Sequence, residues 1–318
     1  MRPIIPVFFT IDDGYAPLLG VALQSMIENA STEYQYHIHI IHENVSEENQ
    51  KKICDLGTDN FKIAFSSMEK SLEGITNRTE NYLRCDYFTV TIYFRLFIPE
   101  MFPEYDKGIY IDSDIIVPGD ISQLYNIDLK DNYIGACPDH SVSNVPPLAK
   151  YMEQALGIDK YEYINSGVLL MNLKKMRENK FSEHFLSLLK NYHFDCLAPD
   201  QDYLNVMCRG NICFLDKCWD VMPNKMEKVP FRNPKLIHYN LFDKPWCYDG
   251  IQYEEYFWDY AKKTVFYEKL KKFKQEYSEE KKQSDTEAFE RLLKKAEIIP
   301  DTEITFKKVY ESGVSVRL

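Results

Sequence analysis

The chain has no apolar stretch long enough to cross a bilayer, and its first residues carry no charged region followed by a long apolar segment and a small-residue cleavage site. Ile4 to Ile11 therefore reads as a first core strand rather than a leader, and a cytoplasmic location is expected. Cysteine pairs at metal or redox spacing are also missing. Cys54, Cys85, Cys137, Cys196, Cys208, Cys213, Cys218 and Cys247 include no Cys-x-x-Cys and no matching histidine spacing. That excludes a zinc or disulfide framework and leaves reduced thiols, several packed as small hydrophobes. Basic charge is in deficit: Lys and Arg number 38 against 49 Asp and Glu, a net charge of -11. Nucleic acid is thereby excluded as the main partner, and a phosphorylated ligand needs local help such as a metal ion. Asn-x-Ser/Thr sequons at Asn29, Asn44 and Asn77 carry little weight without a secretion signal.

What is there is an ordinary globular composition, 45% hydrophobic over 318 residues, enough for one large α/β domain or a domain with an appendage. Strand signals at Pro3 to Ile11, His37 to Ile41 and Phe61 to Phe65 alternate with helix signals at Tyr15 to Glu28 and Glu47 to Leu56. Repeated β-α-β units predict a parallel sheet with helices on both faces. Thr91 to Phe102 reads as a buried helix feeding a strand at Gly108 to Ile111. Further strands are expected at Tyr133 to Cys137, Gly167 to Leu173 and Ile212 to Leu215, with Leu236 to Tyr239 closing the sheet. Helices are expected from Lys174 to about Tyr192 and from Asp200 to Met207. Residues 1–250 form the first unit of this reading. Residues 251–318 form a charged helical appendage ending in a terminal hairpin over Ile304 to Leu318. Within it Phe266, Leu270, Phe273 and Tyr277 share one face beside a cluster of lysines. A solvated helix packing its aromatic stripe on the main domain is favoured over peripheral contact of 258–282 with the inner face of a membrane.

The most informative segment is Gly108 to Pro118, where one apolar run enters Asp112-Ser113-Asp114 and a second leaves it. Residues i and i+2 of an extended chain face the same side, so Asp112 and Asp114 can hold one hard divalent cation while Ser113 points away. The pair sits at the carboxyl end of a central strand, where open α/β sheets bind ligands. Four further segments carry more polar chemistry than scaffolding requires. Asp12-Asp13-Gly14-Tyr15 offers acceptors for a base or ribose and a ring for stacking, although helix capping by Asp explains it as well. Asn165-Ser166-Gly167 permits close approach of a ligand to the backbone and has an amide suited to sugar hydroxyls. Pro199-Asp200-Gln201-Asp202 is a helix start with more acid and amide than one cap needs. His238, with Lys244-Pro245-Trp246 beyond it, supplies an imidazole for a metal and a cation for a phosphate.

This ordered set, from Asp12-Asp13 through Arg95, Asp112-Ser113-Asp114, Asn165-Ser166-Gly167, Asp200-Gln201 and His238 to Lys244-Pro245-Trp246, resembles glycosyltransferase family 8 over roughly residues 4–250. Its members include galactosyl- and glucosyltransferases related to bacterial lipopolysaccharide enzymes and glycogenin. The resemblance implies a GT-A, Rossmann-like nucleotide-sugar-binding fold and a retaining hexosyltransferase using a UDP-glucose or UDP-galactose donor and Mn²⁺, with Mg²⁺ as the alternative. It implies that Asp112, Asp114 and His238 bind the metal and that Lys244 adds charge at the diphosphate. It further implies that Asp12, Asp13 and Tyr15 meet the uridine and that Ser113 belongs to the donor-binding motif. Arg95, Asn165, Asp200 and Gln201 are implied to line the donor sugar, with Gln201 nearest the reacting carbon. The implied acceptor is a glycan, a lipopolysaccharide or surface-polysaccharide precursor. Two positions depart from the family pattern. Gly14 stands where many relatives carry Asn, and the His-x-x-Gly-x-x-Lys pattern reads His238, Leu241 and Lys244, leaving the Leu241 amide N–H as the group available to the diphosphate.

Other readings compete with this one. A haloacid-dehalogenase-type phosphatase also opens on Asp-x-Asp, but Ile116 occupies the position where Thr or Val is expected, and the pair follows three β-α units instead of beginning the chain. A nucleotidyltransferase requires a glycine-rich basic loop where this chain is acidic. A non-catalytic UDP-sugar-binding protein draws support only from Leu241, and a self-glucosylating priming protein only from the 23 tyrosines.

Overall fold

The computed structural model describes residues 2–67, 90–224 and 229–318. Cys85 and the Asn77 sequon lie outside them. The strands are β1 (Ile4–Ile11), β2 (Gln35–His42), β3 (Phe61–Ser67), β4 (Gly108–Ile111), β5 (Ile115–Ile116), β6 (Ile134–Ala136), β7 (Val168–Met171), β8 (Ile212–Phe214) and β9 (Ile237–His238). Among the described residues a seven-stranded sheet has the order β3-β2-β1-β4-β7-β6-β8. β1, β2, β3 and β4 run parallel, as the β-α-β alternation predicts. β7 runs antiparallel to both β4 and β6, so the sheet is mixed where a parallel one was expected. The chain grows outward from β1 to β3 and then crosses back to place β4 on the other side of β1. That reversal creates a crevice beyond the carboxyl ends of β1 and β4, where Asp12 and Asp112 stand.

Two apolar cores cover the two faces of the sheet, and strand alternation assigns residues to them. Phe8, Tyr110, Leu169 and Met171 enter one core, while Val7, Phe9, Ile109, Ile111, Val168 and Leu170 enter the other. The C-terminal helices serve both. Phe257, Phe266 and Leu270 join the second core, whereas Leu292, Ala296, Phe306 and Val309 join the first.

Several elements differ from expectation. The segment before β4 is a 3₁₀ helix at Val90–Phe97 followed by a short α-helix at Ile98–Met101, because a β-branched and aromatic run ending in Pro99 is poor in α-helix formers. The helix expected over 174–192 is two, Leu173–Glu178 and Phe181–Tyr192, separated at Lys180, whose φ is 53°. β9 pairs with β5 in a separate two-stranded sheet rather than closing the main one. The terminal segment is a helix, Phe306–Glu311, and not a hairpin. Thr305 caps its start and Gly313, with φ 93°, ends it, so the Ser312-Gly313 signal is a helix stop.

Candidate active site

The site is assembled by two backbone pairings that bring distant segments to the end of β4. The Asp112 amide donates to Gly167 O at 2.8 Å, joining the exit of β4 to the entry of β7. In the small sheet Ile115 is the register partner of His238, and the Tyr239 amide donates to Asp114 O at 3.0 Å. His238 is thus fixed against the Asp-x-Asp turn although it lies far along the chain.

Three side chains converge there: ligand atoms of Asp112, Asp114 and His238 all lie within 4.8 Å of one another. His238 Nε2 is 3.5 Å from Asp114 Oδ1 and 4.0 Å from Asp112 Oδ2. The other carboxylate oxygens are engaged elsewhere, Asp112 Oδ1 by Arg95 NH2 at 2.9 Å and by the Tyr110 hydroxyl at 2.6 Å, and Asp114 Oδ2 by Lys244 Nζ at 2.5 Å. Each aspartate therefore turns one oxygen toward the imidazole. On the far side of the ring His238 Nδ1 lies 3.1 Å from Asp220 Oδ1, which orients Nε2 toward the aspartates. Burial alone would lower the His238 pKa, but its hydrogen bonds with Asp114 and Asp220 lift it to about 10. Burial likewise works to raise Asp114, and Lys244 together with His238 outweighs it, holding that carboxyl well below the usual range. Gly167 has no side chain for a steric reason: a Cβ there would overlap the His238 ring and lie 2.8 Å from Asp112 Oδ2. Two oxygens, one nitrogen, an outer carboxylate and a glycine cradle fit a divalent cation.

Arg95 connects this cluster to a second one. Its Nε is 3.0 Å from Asp200 Oδ2, its NH1 donates to Ser166 O at 2.7 Å, and its plane lies over the Tyr110 ring at 4.3 Å. Burial opposes the charge on the guanidinium, but Asp112 and Asp200 outweigh it and raise its pKa above the ordinary arginine value. Asp200 also accepts from Ser166 Oγ at 3.0 Å. Gln201 donates through Nε2 to Asp139 Oδ2 at 3.1 Å and accepts through Oε1 from the Ser166 amide at 3.1 Å, so both ends of its amide are held. Asn165 donates to the same Asp139 oxygen at 3.0 Å.

A cavity of about 490 Å³ joins these groups, lined among others by Asp12, Tyr15, Arg95, Asp112, Asp114, Asn165, Asp200, Gln201, His238 and Lys244. Asp12 also caps the short helix at Asp13–Tyr15, its Oδ1 accepting from the Tyr15 amide at 3.1 Å. Two expected donor-binding residues do not reach the cavity. The Asp13 carboxylate accepts from the Ser46 amide, the Ser46 hydroxyl and the Asn49 amide, all at 2.8 Å, and so pins the helix at Glu47–Cys54. Ser113 is buried away from the cavity, as strand alternation requires. Asp202, read as part of the polar helix start, instead anchors the backbone before it: it accepts from the Tyr151 and Tyr163 hydroxyls, each at 2.7 Å, and from the Leu197 and Ala198 amides. Leu241, where the family pattern has glycine, adopts φ 54°, and its N–H donates to the side chain of its neighbour, Asn240 Oδ1, at 2.8 Å. Asp139 and Asp220, both fully desolvated beside site residues, carry no motif in the sequence that marks them.

Comparison with known proteins decides the family. The model of Glycosyl transferase family 8 matches residues 6–250. The chain belongs to this family. A putative glycosyltransferase of Haemophilus influenzae is 26% identical over 242 residues, 76% of this chain and 70% of that protein. A lipopolysaccharide 1,2-glucosyltransferase of Escherichia coli K12 is 26% identical over 265 residues, 78% of this chain and 75% of its own length. Among solved structures, the galactosyltransferase LgtC with donor and acceptor sugar analogs superimposes with a TM-score of 0.69 at 26% identity, covering 82% of this chain and 96% of LgtC. The bifunctional glycosyltransferase WbbM, at 24% identity and a TM-score of 0.73, shares the fold over 86% of this chain and 52% of its own. The protein is therefore a glycosyltransferase with the GT-A architecture. That assignment sets aside the phosphatase and nucleotidyltransferase readings.

Proposed function

We propose that this family 8 glycosyltransferase is a retaining hexosyltransferase that moves glucose or galactose from a UDP-sugar to a glycan acceptor, with Mn²⁺ as the preferred cation and Mg²⁺ the alternative. The observation that carries the reading is the single cavity uniting the Asp112–Asp114–His238 cluster and Lys244 with the Arg95–Asp200–Gln201 group. Breaking the anomeric C–O bond places negative charge on the leaving UDP. A divalent cation held by Asp112, Asp114 and His238 would neutralise the diphosphate as that charge develops. Lys244 adds a second positive charge at the same end, while Asp12 and Tyr15 receive the uridine. Asn165, Asp200 and Gln201 border the sugar end, where an oxocarbenium-like centre develops and a carboxylate or an amide carbonyl stabilises it.

Retention follows from attack on the donor face from which UDP leaves. An amide is a poor nucleophile, and Gln201 is held at both ends by Asp139 and Ser166, while Asp200 is neutralised by Arg95. The choice between glucose and galactose reflects relatives of both kinds, a lipopolysaccharide glucosyltransferase and a galactosyltransferase. A lipopolysaccharide or surface-polysaccharide precursor is the acceptor this reading favours. No helix among the described residues is long and apolar enough to cross a membrane. The reading places the enzyme in the cytoplasm, with residues 1–250 as its catalytic unit and 251–318 as an appendage offering at most a peripheral contact through 258–282.

The test is UDP release from UDP-glucose and UDP-galactose with and without Mn²⁺, comparing the native protein with Asp114→Ala. Metal-dependent turnover lost in the variant supports the reading and names the donor; absence of donor binding under all conditions overturns it.

A further inference from the structure

The helix at Tyr267–Gln275 lies beyond the segment matched by the family model, yet its side chains enter the cavity wall: Lys269, Leu270, Phe273 and, one turn further, Tyr277. Lys269, Phe273 and Tyr277 follow at steps of four and so form one stripe along the helix. One end of the stripe faces the mouth of β1, because the Lys269 charge reaches Asp13 and Leu270 packs in the core with Ala16 and Leu18. The other end faces the turn after Lys244, since the Tyr277 ring lies 5.7 Å from that of Tyr248 and Tyr277 lines the cavity together with Cys247. The stripe shares this cavity with Asp12, Tyr15, Lys244 and Trp246.

The wall is held rigidly. Phe266 packs so closely on the helix at Ala16–Asn29 that a Cβ on Gly20 would lie 2.5 Å from its ring. Asp285 Oδ2 accepts from both the Tyr277 hydroxyl, at 2.6 Å, and the Tyr248 hydroxyl, at 2.5 Å. Lys281 sits 5.6 Å from the Phe273 and Tyr277 ring centroids. The charges on the helix are divided in the same sense. Lys262, Lys263, Lys271, Lys272 and Lys274 each pair with a carboxylate, on Asp259, Glu28, Glu268, Glu276 and Asp249 in turn. Among the described residues Lys269 makes no direct salt bridge, its charge acting on Asp13 and Glu48 from a distance, and it is the lysine of this cluster that lines the cavity. Phe273 remains 43% exposed, a large apolar surface left at the mouth of a binding cavity.

We propose that Lys269 and Phe273 are donor-binding residues, covering the nucleoside diphosphate half of the donor, so that the C-terminal appendage completes the nucleotide site. The proposal rests on the UDP-sugar reading. Its test is calorimetric titration of the full-length protein with UDP in Mn²⁺ buffer. Phe273→Ala and Lys269→Glu each weaken UDP binding by about fivefold or more, whereas Lys272→Ala, on the outer face, stays within about twofold of the native protein. Phe273→Trp provides a direct reporter, since its emission shifts on adding UDP if the position touches the nucleotide. Native UDP binding with unchanged affinities in Phe273→Ala and Lys269→Glu, or a silent Phe273→Trp, overturns the proposal alone. Failure of the native protein to bind UDP overturns it together with the reading beneath it.

Discussion

Asp112 and Asp200 share one guanidinium: Arg95 NH2 lies 2.9 Å from Asp112 Oδ1 while Arg95 Nε lies 3.0 Å from Asp200 Oδ2. The cluster of Asp112, Asp114 and His238 is thereby coupled to the Asp200–Gln201 group through a side chain that is itself buried. A lysine has a single ammonium and cannot reproduce two contacts in a fixed fork. Arg95→Lys is expected to lower kcat by about 100-fold through misplacement of both carboxylates. Arg95→Ala also removes the positive charge facing the buried Asp200 carboxylate and costs about 3 kcal/mol of stability. Steady-state kinetics and denaturant unfolding check the two effects separately.

Asp220 holds His238 Nδ1 through its Oδ1, and among the described residues its Oδ2 has no hydrogen-bond partner. Asp220→Asn removes the charge without opening a hole, and Mn²⁺ affinity is expected to fall by about tenfold or more. Titration of Mn²⁺ followed by electron paramagnetic resonance reads this directly.

Gly167 permits the approach of His238 to Asp112. Gly167→Ala places a methyl group against both, so donor turnover is expected to drop by about 100-fold with the circular dichroism spectrum retained. Native-like turnover in this variant would show that His238 and Asp112 need not meet.

Leu241 carries backbone strain at φ 54°. Because Leu241→Ala and Leu241→Gly remove the same packing from a partly buried side chain, their difference isolates the backbone cost. The glycine variant is expected to be more stable than the alanine variant by about 1 kcal/mol in urea unfolding.

His39 stacks on Phe8 at 5.3 Å and lies 4.6 Å from Phe102, with its Nε2 3.1 Å from the Tyr105 hydroxyl. Burial, assisted by neighbouring His37 and opposed weakly by Glu104, pushes its pKa from 6.5 down to about 4. Between those values the unfolded chain binds the proton that the folded state refuses, so stability falls as pH drops from 6.5 toward 4. Thermal melts across that range should show a decline that is shallower in His39→Gln.

Much of the site is legible in the sequence because its signals are local. An apolar run ending in Asp112-Ser113-Asp114 encodes both a buried strand and two carboxylates on one side of its exit, and alternation places Ser113 away from the cavity. Asn165, Asp200, Gln201, His238 and Lys244 all lie within the segment that the family model matches. Local signals also mislead. Ser312-Gly313 marks a chain reversal equally well as a hairpin or as a helix stop, and only the burial of Phe306 and Val309 on the first core selects the helix. Asp13 and Asp202 resemble their neighbours in sequence, yet one pins Ser46 and the other Leu197.

By itself the sequence determined the alternation of strands and helices, the acidic turn after β4 and the chemical groups of a sugar-transfer site, since periodicity and residue type are written in short windows. Tertiary structure alone decided the antiparallel β7, the pairing of β5 with β9 that delivers His238, the reach of Arg95 to Asp112, the supporting roles of Asp139 and Asp220, and the entry of Phe273 into the cavity wall. The physical reason is that these depend on which distant segments share a buried neighbour. An isolated aspartate or an aromatic on a charged helix carries no local mark of the partner it will meet.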